Sequence, residues 1–158
     1  MNPYAKYIGE DDPFPVIRST ANRLRAAFEA MGPARAQQPW APGKWTPHQV
    51  LCHLADCEIA FAFRIRQTLS EPHHVIQPFD QDAWSAYSGA YDTSAALSVF
   101  ESLRDWNCRL LSQAPQEAYT RPVTHPERGT MTLRTIVETM AGHDRNHLAQ
   151  LENLTAAG

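Results

Sequence analysis

Residues 132–154, TLRTIVETMAGHDRNHLAQLENL, decide the fold. Leu133, Val137, Met140, Asp144, His147, Leu151 and Leu154 recur there at alternating steps of four and three, the spacing of one helix face. Asp144 and His147 therefore share the face that the leucines bury. A buried carboxylate or imidazole without a partner carries a desolvation cost. Polar residues in the middle of such a face imply a hydrogen-bonded network or a set of ligands. His143 and His147 are four apart, so they project from one side, about 6 Å apart along the axis.

Working outward, three more segments carry helical periodicity, separated by proline-rich connections. A helix over residues 15–31 takes Pro15 as an N1 residue, carries Ile17, Ala21, Leu24, Phe28 and Met31 as its stripe, and stops at Gly32-Pro33. Thr46-Pro47-His48-Gln49 is a capping box, and opens a helix whose Leu51, Leu54, Phe61, Ile65 and Leu69 face the core before Glu71-Pro72 ends it. The third helix starts near Asp92 to Ser94, runs to Ala114 ahead of Pro115, and buries Ala96, Phe100, Leu103, Leu110 and Leu111. Residues 71–92 and 115–131 are long connections, which permit crossovers and leave the helix order open. In the first, Asp80 is placed to cap a short turn carrying Trp84, a residue expected to pack in the core rather than wall a pocket. In the second, RPVTHPERGTMT reads as a hairpin or an extended loop over one end of a bundle. The expectation is an all-α four-helix bundle with long crossover connections, one domain over residues 1–158.

The net charge of −3, with Lys and Arg scattered singly, offers no basic stripe for nucleic acid and no polybasic run for anionic lipid. No apolar stretch is long enough to span a membrane, and the N-terminal residues lack the apolar region of a secretory signal. The expected location is the cytoplasm. Cys52, Cys57 and Cys108 are odd in number and lack CxxC spacing, so they read as buried thiols rather than a disulfide framework. Cys57 lies one turn beyond His53 on nearly the same face, close enough to approach a metal from beside its ligands.

HDRNH resembles the zincin motif with Asp144 in place of the catalytic glutamate, but Asp is a methylene shorter and no ligand follows His147. A third ligand must lie upstream, and His53, two turns into its helix, is the candidate. His48 is too near the cap and is expected to face solvent. His73, His74 and His125 sit in loops beside prolines as surface residues, though His125 is placed to line the mouth of a site under its loop. Three imidazoles leave at least one metal position free for water or substrate.

The runs KWTPHQVLCHLADCEIAFAFRIRQTLSE, VIQPFDQDAW and THPERGTMTLRTIVETMAGHDRNHLAQLENL resemble the DinB superfamily of metal-binding four-helix bundles, in order and over residues 15–154. The likeness is strongest to the branch holding bacillithiol S-transferases and metal-dependent hydrolases. It implies a divalent ion, zinc or nickel first, on His53, His143 and His147, and a homodimer. It also implies, for some relatives, a low-molecular-weight thiol such as mycothiol or bacillithiol as co-substrate. The leading expectation is metal-dependent transfer of such a thiol to an electrophilic small molecule. Asp56 and Asp144 are the candidate catalytic carboxylates that orient an imidazole through its free N–H, or else plain helix-surface charges. The alternatives are hydrolysis with Asp144, Asp56 or Glu58 as base, and a non-catalytic metal-binding, stress-associated module.

Overall fold

Side-chain caps set the helix starts in the computed structural model, which describes residues 1–156. Asp12 accepts from the Phe14 amide at the head of α2 (Pro13–Ala36), after a short α1 (Ala5–Ile8). Thr46 and Gln49 form the full capping box of α3 (Pro47–Ser70). Asp80 caps α4 (Gln81–Ser85), which carries Trp84, and Asp92 caps α5 (Thr93–Gln113). α6 covers Leu133–Ala156. The strands β1 (His74–Val75), β2 (Pro122–His125) and β3 (Gly129–Thr132) form one small sheet, with β1 parallel and β3 antiparallel to β2. The second long connection is thus a hairpin, and the first supplies its third strand.

Gly32-Pro33 bends α2 instead of ending it. Gly32 takes φ 74° and ψ 163°, and Pro33 then opens a last turn to Ala36. Proline fits the first turn of a helix, so the pair makes a kink rather than a stop.

α2, α3, α5 and α6 form the bundle. α2 packs on α6 and α5, and α3 packs on α5 and α6, so α2 and α3 lie across the diagonal although they are consecutive in sequence. The core comes in two apolar zones. Ile17, Phe61, Ile65, Leu111, Leu133 and Met140 belong to one; Leu24, Phe28, Leu51, Leu54, Phe100, Leu148 and Leu151 belong to the other. α2 and α6 run from the first zone to the second, and α3 and α5 run the opposite way. The segment from α3 to α5 must therefore return along the whole bundle, roughly 36 Å for a helix of this length. That is why residues 71–92 are long. The segment from α5 to α6 stays at one end, where its hairpin forms a cap.

Between the two zones lies a buried polar layer: Thr20 from α2, His53 and Glu58 from α3, Arg104 and Asn107 from α5, and His143, Asp144 and His147 from α6. The inward positions foreseen for Asp144 and His147 are both buried. Three expectations are corrected. Trp84 is 40% exposed, stacked against Phe79 with centroids 4.5 Å apart, so it is not a core residue. His48 does not face solvent; it is buried, its ring nitrogens paired with Thr93 Oγ1 and the Ser88 carbonyl. His74 and His125, read as surface loop residues, are buried by the sheet in which they lie. No helix among the described residues is long and apolar enough to cross a membrane.

Candidate metal centre

His53 on α3 and His143 on α6 meet with their Nε2 atoms 3.0 Å apart. The His147 ring stands 4.5 Å from that of His143 and 5.2 Å from that of His53, centroid to centroid. His147 Nδ1 is 2.9 Å from Gln150 Oε1. An amide oxygen only accepts, so Nδ1 carries the proton and the Nε2 lone pair is left free. Cys57 Sγ lies 3.6 Å from His53 Nε2 and 4.0 Å from His143 Nε2. The ligand atoms of His53, Cys57 and His143 all fall within 4.8 Å of one another.

These groups are held uncharged. Burial pushes the His53 imidazole down to about 4, with the His147 charge adding to it. Burial also carries His143 well below its ordinary value and lowers His147. Burial pushes the Cys57 thiol up to about 12. Neutral imidazoles are metal ligands and charged ones are not. Two nitrogens on a tetrahedral zinc would stand about 3.3 Å apart, given the usual Zn–N distance. The 3.0 Å separation found here needs only a small adjustment. The His53–His143 pair fits a metal, with Cys57 Sγ among the converging ligand atoms and the His147 ring packed against both imidazoles.

Asp144 takes other partners, and Asp56 lies away from the cluster. Asp144 accepts from Thr20 Oγ1 at 2.7 Å and from Arg104 at 2.5 and 3.2 Å. Arg104 also bonds Glu58 at 2.7 Å and the Ile17 carbonyl at 2.9 Å, while Asn107 donates to Glu58 at 2.8 Å. Burial pushes the Asp144 carboxyl up, and Arg104 pulls against it. Burial works against the Arg104 charge, but Asp144 and Glu58 outweigh it and keep the guanidinium protonated. Asp56 is half-buried and lines a separate groove with Cys52, Tyr91 and Val99. Among the described residues neither carboxylate bonds a site imidazole. The spacing in α3 and α6 had suggested that such a bond was within reach. The partner that claims Asp144 sits on α5, beyond what either helix shows alone.

Above the cluster is a cavity of about 340 Å³ whose walls include Tyr4, Phe61, Arg64, Phe79, His125 and Arg128. His125 lines it, as its loop position suggested. Tyr4, at the head of α1, was not foreseen: its ring meets His143 edge-on at 5.1 Å. A methyl group at Gly142 would come within 2.6 Å of the Tyr4 carbonyl, so α6 needs glycine there for this segment to close on the site. The signal was present in the glycine placed one residue before His143.

Fold and site together define a four-helix bundle with a buried cluster of three histidines, two of which, His53 and His143, line a cavity. The chain belongs to the DinB superfamily, whose family model matches residues 17–151. It is similar to YfiT of Bacillus subtilis (strain 168), named a candidate metal-dependent hydrolase, at 28% identity over 89% of this chain and 80% of that one. It is also similar to OB0782 of Oceanobacillus iheyensis, named in the same way, at 31% identity over 71% of this chain and 66% of the other. The solved structure of Bacillus subtilis YfiT, described as a probable metal-dependent hydrolase with an unusual four-helix bundle topology, superposes with a TM-score of 0.85 at 27% identity. That match covers 92% of this chain and 85% of YfiT.

Proposed function

We propose that this protein is a metal-dependent enzyme acting on a small molecule, with His53, His143 and His147 holding one divalent ion, zinc or nickel first. Its reaction transfers a low-molecular-weight thiol to an electrophilic carbon. One observation carries this. His53 and His143 turn their Nε2 atoms to each other at 3.0 Å, beside a His147 whose Nδ1 is committed to Gln150, at the floor of an open cavity. A divalent ion held by these histidines would supply Lewis acidity, easing loss of a proton from a bound thiol or water.

The chain's own residues account for the rest. Phe61 and Phe79 give one part of an otherwise polar cavity an apolar face for the carbon skeleton of an electrophile. His125 Nδ1 accepts from the Glu127 amide at 3.2 Å, which leaves the ring proton on Nε2 as a donor for a departing group. In the transfer the thiol S–H bond breaks and a carbon–sulfur bond forms. The leaving group departs with the electron pair of its bond and the proton is released alongside it. Three of the four candidate carboxylates offer hydrolysis no base. Asp144 and Glu58 are taken up by Arg104, and Asp56 lies on another groove, so none is placed as a base. A free thiol, with its ordinary pKa of about 8.5, is already far more acidic than free water and leans least on such a base.

Hydrolysis is the second reading, supported by the description of YfiT and by Glu127, a carboxylate that does line the cavity. Metal-loaded protein incubated with an alkylating electrophile, with and without a panel of small thiols, separates the two. Conjugate that forms only with metal and thiol together supports transfer. Turnover without thiol supports hydrolysis, and no turnover under either condition overturns both.

A further inference from the structure

We propose that the cavity over the histidines takes an organic anion. Arg64 and Arg128 receive a carboxylate or phosphate group at one end of a small substrate, and its reacting end lies at His53 and His143. The proposal rests on the enzymatic role given above and adds the class of substrate. His53, Cys57, Phe61 and Arg64 follow one another at steps of four, four and three, so they form one stripe of α3 along the cavity wall. The Arg64 guanidinium lies 5.9 Å from the Phe61 ring centre, and that ring is 6.4 Å from the His143 ring. The guanidinium is therefore within about 12 Å of the His143 ring, the reach of a small molecule. Arg128, on the β2–β3 hairpin, lines the same cavity.

Neither arginine has an anionic partner. Arg23, Arg25, Arg104, Arg109, Arg134 and Arg145 all sit in ion pairs. Among the described residues no ion pair or side-chain hydrogen bond involves the guanidinium of Arg64 or Arg128. Arg64 is half-buried and its charge rests only against the faces of Phe61 and Phe79, at 5.9 and 5.7 Å. A guanidinium has five donors in a fork that matches a carboxylate or phosphate. Two of them, with donors unspent, face a cavity where Glu127 is the carboxylate in the lining. Two like charges held this close to one space gain from an anion placed between them.

The test titrates metal-loaded and metal-free protein by calorimetry with 4-methylbenzoate, 4-methylphenylphosphonate and neutral 4-methylbenzamide. Wild type should bind at least one of the anions tenfold or more tightly than the amide, and added salt should weaken it. The preferred anion shows whether carboxylate or phosphate is the natural group. Arg64→Gln and Arg128→Gln should each lose about tenfold of that affinity, while Arg64→Lys keeps part of it. Equal affinity for anion and amide would overturn the proposal. So would anion binding unchanged in both Gln variants, or binding that vanishes with the metal and ignores the arginines. If the protein takes up no metal, the enzyme assignment falls while the arginine comparison is still read on the metal-free chain.

Discussion

Replacing Arg104 with methionine tests what holds the two apolar zones together. The guanidinium is 3% exposed and lies between two carboxylates that are each 1% exposed. It makes bonds to Glu58 at 2.7 Å, to Asp144 at 2.5 and 3.2 Å, and to the Ile17 carbonyl at 2.9 Å. Removing one member of a buried ion pair costs about 3–5 kcal/mol, because the remaining charge keeps its desolvation penalty. With a urea slope of about 2 kcal/mol per molar, the midpoint of Arg104→Met should fall by roughly 2 M. The loss should depend on pH with a definite sign. Burial already raises the Asp144 carboxyl, and Arg104 is the main force lowering it. Without Arg104 the folded chain binds a proton there that the unfolded chain does not, so stability falls as pH rises through that window. The deficit against wild type should therefore shrink between pH 7 and pH 5. Combining Arg104→Met with Glu58→Gln and Asp144→Asn should recover at least half of it. A midpoint shift equivalent to less than about 1 kcal/mol, or a deficit that grows on acidification, would refute the reasoning.

Two further outcomes follow from the site. In cobalt-loaded protein, three imidazoles should hold the ion with Cys57 beside it and not bound to it, as the proposed ligand set requires. The near-ultraviolet thiolate-to-cobalt absorption should appear only on adding a small thiol and be the same in Cys57→Ser; a band in the unliganded wild type that Cys57→Ser abolishes would mean a closed site. Metal-free protein should lose stability in acid. Burial lowers His53 to about 4, so folding below pH 6.5 must expel a proton, and stability present at pH 7.5 should drop by about 2 kcal/mol at pH 5 from this residue alone. Urea midpoints at the two pH values measure the drop, and His53→Gln should flatten it; a flat wild-type profile would contradict it.

The helices and the inward positions of Asp144 and His147 were legible because each depends on spacing within one segment. The capping box at Thr46, the Asp80 and Asp92 caps and the stripe through Leu133, Met140 and Leu151 are all local signals, and all appear in the structure. Partners that join different helices were not legible. Arg104 lies on the inner face of α5, yet nothing within α5 shows that its counter-charges are Glu58 and Asp144. Asp144 was consequently expected beside an imidazole. His48 was placed in solvent because it follows a cap, but the return of residues 71–92 along the bundle brings Ser88 and Thr93 over it. Tyr4 lies in a segment with no periodicity, and only Gly142, far along the chain, hints at what it packs against.

Metal uptake tests the central assignment most directly. Wild-type protein equilibrated with zinc or nickel and freed of excess ion should retain close to one ion per chain. His53→Ala, His143→Ala and His147→Ala should each retain far less while keeping the helical circular dichroism of the wild type. A wild type that takes up neither ion, or a His53→Ala/His143→Ala double variant that still holds a full equivalent, would contradict the account.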